Sequence, residues 1–297
     1  MYGVLPLWKP RGLTSHDCVQ KVRKIFKTKK VGHTGTLDPE VEGVLTICIG
    51  EATKIVQYLT ELNKTYIATC TLGIATETED QTGKIIEQQT VEQFPTKDEI
   101  NQCLDSFKGE IVQIPPMYSA VRVKGKRLYE YARNNEFVER PKRKVTIYQI
   151  ELIETLAEEQ SFRFKTTCSS GTYIRTLCVD IGKALGFPAH MSHLLRIENS
   201  NFSKEETITF DELYEAEKNN ELHNTLYSID RALSHLDTTN VDEETMKKIS
   251  NGQKLPKPEE SFKTSLVKMV YNGEVLALYK QDTKELDKIR PERVFNL

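Results

Sequence analysis

The stretch Val31-Gly32-His33-Thr34-Gly35-Thr36-Leu37-Asp38-Pro39 lies between a basic segment and the apolar run Val44–Ile49. Its glycines permit backbone angles that other residues avoid, and Pro39 biases Asp38 toward an extended conformation. The pattern predicts a shaped loop that presents the carboxylate of Asp38 outside any helix. From spacing alone, Asp38 is either a turn former or a catalytic carboxylate.

The segments around this loop mix helical and strand periodicities. Apolar spacing predicts helices over 16–27, 97–107, 173–185 and 210–219. Alternating or β-rich patterns predict strands over 65–74, 144–152 and 162–168, and a hairpin over 263–279 that turns at Asn272-Gly273. Because strands and helices do not alternate regularly, we predict an α+β fold with a mixed, largely antiparallel sheet flanked by helices.

A change of composition near 236–241 predicts a domain boundary. Residues 205–246 carry twelve acidic residues against Lys218 and Arg231, and a shorter β-rich tail with Pro256 and Pro258 follows. A chain of 297 residues fits about two domains at roughly 150 residues each. We therefore expect one domain over 1–237 and a small C-terminal β-rich module over 238–297.

Basic residues are segregated along the chain although its net charge is only −2. Residues 1–30 carry eight Lys or Arg against Asp17, and residues 122–144 carry nine against three acidic residues. Such blocks form either solvated faces or surfaces that follow a phosphate backbone. Tyr118, Tyr129 and Tyr131, in or beside the second block, make a nucleic-acid surface plausible.

Several protein classes are excluded or disfavoured. The longest apolar run is far shorter than the ~18 residues of a transmembrane helix, and no basic leader precedes an apolar core. The six cysteines form no C-x-x-C pair, which favours a reduced, cytoplasmic compartment. His190 and His193 have no third ligand nearby, so we predict no metal site. No glycine-rich nucleotide-binding loop is visible.

Ordered blocks over residues 1–200 resemble the tRNA pseudouridine synthase B (TruB) family. They are LWKPRGLTSHDCV (7–19), GHTGTLDP (32–39), KTY (64–66), PPMYSA (115–120), CSSGTYIRTL (168–177), and Ala189–His190 with Leu194–Arg196. The resemblance implies a pseudouridine synthase catalytic domain over 1–237 and a PUA-like RNA-binding module over 238–297. It implies an isomerase that converts uridine 55 in the T-psi-C loop of tRNA to pseudouridine. The reaction is an isomerisation, so no cofactor is expected.

The resemblance also assigns a catalytic role to Asp38. It serves as nucleophile toward C1′, as partner of a sugar-centred intermediate, or as acceptor of a sugar proton if a glycal forms. These routes stay open. The resemblance implies that Arg175 pairs with Asp38, and a guanidinium beside a carboxylate keeps it ionised. From the residues alone, a surface arginine near a helix start is the favoured interpretation of Arg175.

The remaining site residues implied by the family bind the substrate. Tyr66 stacks on the target base, and Tyr173 and Leu194 shape the uridine pocket. His33 stabilises the RNA loop after the base has flipped out of its stack. Without the resemblance, these four are ordinary packing or locally hydrogen-bonded residues.

We expect tRNA, bound through its T arm, as the partner, with no guide RNA, no membrane and a monomeric enzyme. Contacts with the RNA backbone are expected from Lys9, Lys21, Arg23, Lys24, Lys64 and Arg196. Many family members carry Arg-Arg where this chain has Leu195-Arg196.

Two alternative functions use the same sequence features. A tRNA-binding or tRNA-folding protein needs the same surface without chemistry, and this role can also accompany catalysis. An RNA-guided subunit that acts on ribosomal RNA shares a similar aspartate loop. The LWKPRGLTSHD block and the small tail favour the stand-alone bacterial enzyme.

Overall fold

The computed structural model describes residues 1–258 and 262–296. Its strands are β1 (Gly3–Lys9), β2 (Val31–His33), β3 (Glu42–Ile49), β4 (Lys64–Leu72), β5 (Ile74–Thr76), β6 (Ile85–Gln88), β7 (Gly109–Gln113), β8 (Arg122–Val123), β9 (Lys126–Arg127), β10 (Arg143–Leu156), β11 (Ser161–Cys168), β12 (Ala189–Asn199), β13 (Phe202–Ser203), β14 (Asp237–Asn240), β15 (Leu255–Pro256), β16 (Val267–Tyr271), β17 (Glu274–Gln281) and β18 (Lys288–Val294). Its α-helices are α1 (Ser15–Ile25), α2 (Val56–Thr60), α3 (Lys97–Ser106), α4 (Leu128–Arg133), α5 (Ile174–Ala184), α6 (Phe210–Lys218), α7 (Ile229–Ala232) and α8 (Glu243–Ser250).

The chain forms two compact units, each assembled from separate stretches of sequence. Unit 1 comprises Met1–Pro39, Val44–Thr60 and the described residues of Ser200–Leu297. Unit 2 comprises Glu40–Gly43 and Glu61–Asn199. The predicted boundary between 237 and 238 stays a prediction, and residues 259–261 and 297 of the predicted module lie outside the described residues.

Unit 2 is built on a mixed sheet. Its strand order is β12-β4-β11-β10-β7, with antiparallel pairing throughout, while Glu42 and Gly43 pair in parallel with Leu195 and Arg196. Alternating apolar residues bury one side of β11, where Phe162 and Phe164 are fully buried. Helix α5 packs on β4 and β12, and α3 packs on β10.

Unit 1 contains helix α1 and the strands on which it packs. Thr14 caps α1 through a capping box with Asp17, and Cys18, Val19, Val22 and Ile25 form its buried face. These residues join a core with apolar residues of β1 and β3. The opposite face of α1 carries the basic residues.

A five-stranded sheet in unit 1 has the order β14-β16-β17-β18-β15. Its core includes Val267, Met269, Ala277, Tyr279 and Ile289, with Ile249 of α8 packed against them. The predicted hairpin at Asn272-Gly273 is confirmed, because both residues have positive φ between β16 and β17.

The predicted fold class is confirmed: helices flank a mixed, largely antiparallel sheet, and the C-terminal part is β-rich. The helices predicted over 16–27, 97–107, 173–185 and 210–219 correspond to α1, α3, α5 and α6. Among the described residues, no helix is both long and apolar enough to cross a membrane.

Gly43 allows two backbones to approach closely in unit 2. Its φ is +128°, and a Cβ atom there would lie 2.2 Å from the carbonyl oxygen of Arg196. We expect Gly43→Ala to lower the free energy of unfolding by about 1–3 kcal/mol or more, because overpacking and backbone strain act together. Gly32→Ala is the matched control, since its Cβ would only touch Val56 at 3.4 Å. Equal urea-unfolding midpoints for the two variants would contradict this account.

Candidate active site

Asp38 lies in the loop that follows β2, and its side chain is half-buried. Hydrogen bonds of Thr34 fix the start of the loop. The backbone N–H of Thr34 donates to the carbonyl of Thr46 at 3.1 Å, and the Thr34 hydroxyl lies 2.8 Å from the Ser200 hydroxyl. Ser200 in turn donates to the carbonyl of Leu59 at 3.0 Å. The start of the loop is therefore fixed to two other parts of unit 1.

The residues on either side of Asp38 are bonded to the segment 9–15. The hydroxyl of Ser15 accepts from the N–H of Leu37 at 2.8 Å and donates to its carbonyl at 3.2 Å. The carbonyl of Pro39 accepts from the N–H of Gly12 at 2.9 Å and from the ammonium of Lys9 at 3.1 Å. Asp38 thus stands between two anchored neighbours.

His33 is the last residue of β2 and is half-buried. Its Nδ1 accepts from the N–H of Gly35 at 3.3 Å. The ring is therefore held against the turn that leads to Asp38.

In unit 2, Tyr66, Leu194 and Arg196 share one face of the sheet. Tyr66 stands opposite Arg196 in the β4–β12 pair, and Leu194 stands opposite Ala68. Residues two apart on a strand point to the same side. The structure therefore brings together two of the predicted pocket residues, Tyr66 and Leu194, with one predicted phosphate ligand.

Arg175, near the start of α5, is 7% exposed. Its guanidinium donates to the carbonyls of Thr78 at 3.1 Å and Tyr118 at 3.0 Å, and it lies 3.8 Å from Oδ2 of Asp80. The carboxylate of Asp80 therefore lies beside Arg175, the residue that is predicted from the sequence to pair with Asp38. That pairing stays a prediction.

Asp80 is a residue that sequence reasoning missed. Its Oδ1 accepts from the hydroxyl of Thr78 at 2.8 Å and from the N–H and hydroxyl of Thr82 at 2.9 and 2.6 Å. The only signal in the sequence is a turn-like Thr- and Asp-rich stretch, Thr76–Gly83. Arg175, whose guanidinium lies beside Asp80, is distant from it in the sequence, so no local pattern indicates the pair.

Tyr173 is the residue that precedes α5. Its N–H donates to Oε1 of Gln113 at 3.0 Å, and its carbonyl accepts from Nε2 of the same amide at 3.1 Å. Its side chain packs against a small cluster formed by Val121, Leu128, Tyr131 and Val138. Tyr173, a predicted pocket residue, therefore borders the basic segment 122–144.

Comparisons with known proteins address the family. The model of the TruB family pseudouridylate synthase N-terminal domain matches residues 23–174, and that of the tRNA pseudouridylate synthase B C-terminal domain matches 175–237. The chain belongs to the TruB family. It is 55% identical to tRNA pseudouridine synthase B of Oceanobacillus iheyensis, over 99% of this chain and 98% of the relative. It is 51% identical to the Bacillus subtilis protein of that name, over 98% and 97%.

A solved structure of a Cbf5-Nop10-Gar1 complex contains a chain with the same fold as this TruB-family chain. The TM-score is 0.76 and the identity 29%, over 99% of this chain and 84% of that one. A structure of an H/ACA RNP bound to a substrate RNA containing 2'-deoxyuridine matches with a TM-score of 0.75, 28% identity and coverage of 99% and 85%.

Three predicted phosphate ligands of this TruB-family chain are buried. The side chains of Lys9, Lys64 and Arg196 are 0%, 6% and 1% exposed. The ammonium of Lys9 donates to the carbonyls of Pro10 and Pro39, and the ammonium of Lys64 donates to the carbonyl of Leu62 at 2.6 Å. These bonds hold the ammonium groups of Lys9 and Lys64 inside the protein, and the contacts of all three residues with the RNA backbone stay predictions.

The other three cations lie on α1 in unit 1. Lys24 is exposed, whereas Lys21 lies over the ring of Phe210 at 5.5 Å and Arg23 donates to the carbonyl of Val31 at 3.4 Å. Lys27 and Lys29, just beyond the helix, are exposed as well. The exposed cations of this surface are therefore Lys24, Lys27, Lys29 and Lys30, the last of which lies 3.5 Å from a carboxylate oxygen of Glu51.

Two buried cations lie close to Tyr66 in the sheet: Arg196 stands opposite it, and Lys64 lies two residues before it on β4. Burial lowers the pKa of Arg196, and its hydrogen bond with the Tyr66 side chain opposes that shift. Burial, with the nearby charge of Arg196, lowers the pKa of Lys64 to about 8. Tyr66 is thus held by a desolvated guanidinium, and Lys64 changes its charge near pH 8. Among residues 1–258 and 262–296, no group of three His, Cys, Asp or Glu side chains is arranged to hold a metal ion.

The pKa of Lys64 has a consequence for stability. Since it lies near 8 in the folded protein and at 10.5 ordinarily, the unfolded chain binds more protons between these pH values. The free energy of unfolding should therefore rise from pH 8 to 10.5 by on the order of 3 kcal/mol from this residue, at about 1.4 kcal/mol per pKa unit. Lys64→Met should remove that rise in urea titrations. The exposed Lys142→Met is the control, and equal pH profiles for the two variants would refute the assignment.

Proposed function

We propose that this chain isomerises uridine to pseudouridine in tRNA, at position 55 in the T arm. The observation that carries the proposal is the loop of a TruB-family chain that holds Asp38 between anchored neighbours, half-buried and outside any helix. The proposal is supported by relatives named tRNA pseudouridine synthase B that match nearly the whole chain.

The chemistry breaks the C1′–N1 bond and forms a C1′–C5 bond. The electron pair of the glycosidic bond leaves with N1, so C1′ becomes electron-deficient while the base is detached. The carboxylate of Asp38 bonds to C1′, stabilises its positive charge, or takes a sugar proton. After the base has turned, C5 attacks C1′, the C5 proton leaves and N1 gains a proton. Atoms and electrons balance without a redox carrier.

Unit 2 supplies the proposed binding groups for the base. Tyr66 offers an aromatic face for stacking, Leu194 an apolar wall, and Arg196 the hydrogen bond that orients the tyrosine. Uridine must leave its stack before C1′ and C5 are accessible, and stacking on an aromatic ring offsets part of that cost. His33 and Tyr173 remain proposed substrate-binding residues.

The segment 122–144 of unit 2 fits an RNA backbone. Its exposed cations are Arg122, Lys124, Lys126, Arg127, Arg133, Lys142, Arg143 and Lys144. Arg127 and Arg133 both lie over the ring of Tyr129, at 5.7 and 5.4 Å, which keeps two guanidinium groups at the surface. We propose that this segment and the exposed lysines near α1 contact the phosphates.

The alternative of an RNA-guided subunit rests on the structural likeness to a chain of the Cbf5-Nop10-Gar1 complex. The relatives named tRNA pseudouridine synthase B are much closer in sequence. We therefore propose a stand-alone enzyme that needs neither guide RNA nor cofactor and acts in the cytoplasm. The C-terminal module of 238–297 is proposed to assist RNA binding.

The direct test measures pseudouridine in an unmodified tRNA transcript with this protein alone. We expect Asp38→Asn to abolish product formation while the dissociation constant for tRNA changes less than threefold, because the amide keeps the shape and loses the ionised oxygen. A pure RNA-binding protein would give no product with either form. Appreciable turnover by Asp38→Asn would exclude Asp38 as the catalytic group.

The salt dependence of binding tests the proposed basic surface near α1. Replacing Lys24, Lys27 and Lys29 together by Gln should weaken tRNA binding, because contacts with phosphates are lost. The salt dependence should also become weaker, since each lost contact reduces the slope of log K against log salt by about 0.7–0.9. The control is Lys108→Gln with Lys218→Gln, since these lysines lie outside the proposed RNA surfaces and pair with Asp105 and Glu215. An unchanged slope in the triple variant would show that this surface faces solvent in the complex.

A further inference from the structure

Ser15 is a buried hydroxyl that makes both of its side-chain hydrogen bonds with one residue. It is 2% exposed, accepts from the N–H of Leu37 at 2.8 Å and donates to the carbonyl of Leu37 at 3.2 Å. Leu37 is itself 4% exposed and directly precedes Asp38. One hydroxyl therefore satisfies both backbone polar groups of the residue before the carboxylate.

Capping of α1 does not require this hydroxyl. Thr14 accepts from the N–H of Asp17 at 3.0 Å, and the Asp17 carboxylate accepts from the N–H of Thr14 at 2.9 Å. That reciprocal pair completes the helix start. Ser15, the first helical residue, instead directs its hydroxyl away from the helix and toward the loop.

The bonds of Ser15 restrict the backbone at the point where the direction of Asp38 is set. A bonded N–H and a bonded carbonyl fix the peptide planes on both sides of Leu37. On the far side, the carbonyl of Pro39 is held by Gly12 and Lys9. With both neighbours fixed, the carboxylate of Asp38 has little freedom to shift along the loop.

We propose that Ser15 is a positioning residue for the reaction: it holds Leu37 so that the carboxylate of Asp38 meets C1′ of the bound uridine. The inference rests on the proposed catalytic role of Asp38. Catalytic groups must be held within about 0.5 Å of the productive geometry, and a misplacement of about 1 Å can cost a hundredfold in rate. Ser15 acts through the backbone and does not touch the substrate.

The experiment compares variants of the full chain in single-turnover modification of an unmodified tRNA transcript at saturating enzyme. Ser15→Ala should lower the rate constant by about 10- to 100-fold while the dissociation constant for tRNA changes less than threefold. Thr14→Ala removes the neighbouring cap and should leave the rate constant within twofold, although it also lowers the unfolding midpoint. Ser15→Cys, which keeps the size and a weak hydrogen-bonding atom, should fall between Ser15→Ala and the unsubstituted chain.

Each outcome decides the inference. A rate constant within twofold for Ser15→Ala would overturn it, as would an equal loss in Thr14→Ala, which would indicate general destabilisation. Parallel losses of rate and tRNA affinity would also overturn it, since positioning affects the chemical step. If Ser15→Ala does not fold, Ser15→Cys is judged by the same criteria. The unsubstituted chain and Asp38→Asn are measured alongside. No product from the unsubstituted chain refutes the proposed function, and turnover by Asp38→Asn refutes the catalytic role of Asp38. An inactive Asp38→Asn with a Ser15→Ala rate constant within twofold refutes only the role of Ser15.

Discussion

The hydrogen bonds between the segment 9–15 and the residues flanking Asp38 determine how the carboxylate can act. A loop with two glycines has many accessible conformations, and ordering it opposes folding through lost entropy. The hydroxyl of Ser15 and the ammonium of Lys9 offset that cost with bonds made in the interior, where unpaired backbone groups would be unfavourable. The start of α1 and the end of β1 thus hold the loop through hydrogen bonds, in addition to contributing apolar residues to the core.

Buried cations set the properties of the residues in unit 2 that are proposed to bind the base. A guanidinium that is 1% exposed has lost its hydration, so Arg196 needs strong internal partners. Tyr66 is one of them, and the same bond restricts the ring that is proposed to stack on uracil. Lys64 shares this environment, and its lowered pKa follows from burial and from a like charge nearby. Arg175 has different partners: its guanidinium lies beside the carboxylate of Asp80 and donates hydrogen bonds to two backbone carbonyls.

Charge along the sequence is a poor guide to charge at the surface. Lys9 and Lys24 look equivalent in the basic block of residues 1–30, yet one is fully buried and the other is exposed. Position within an element makes the difference: Lys9 ends a buried strand, whereas Lys24 lies on the outer face of an amphipathic helix. The proposed RNA surfaces follow exposed cations, which is why a net charge of −2 does not conflict with binding a polyanion.

By itself, the sequence determined the main elements and the candidate carboxylate. Apolar spacing marked α1 and α5, alternation marked β4 and β11, and the Gly32–Pro39 block marked the loop of Asp38, because these signals are local. The tertiary structure alone decided which distant groups meet. Ser15 reaches Leu37, Arg175 reaches Asp80, and Arg196 faces Tyr66, in each case across a long separation in the chain. Strand register and burial create these contacts and the pKa shifts that follow, and neither is encoded in a short stretch of residues.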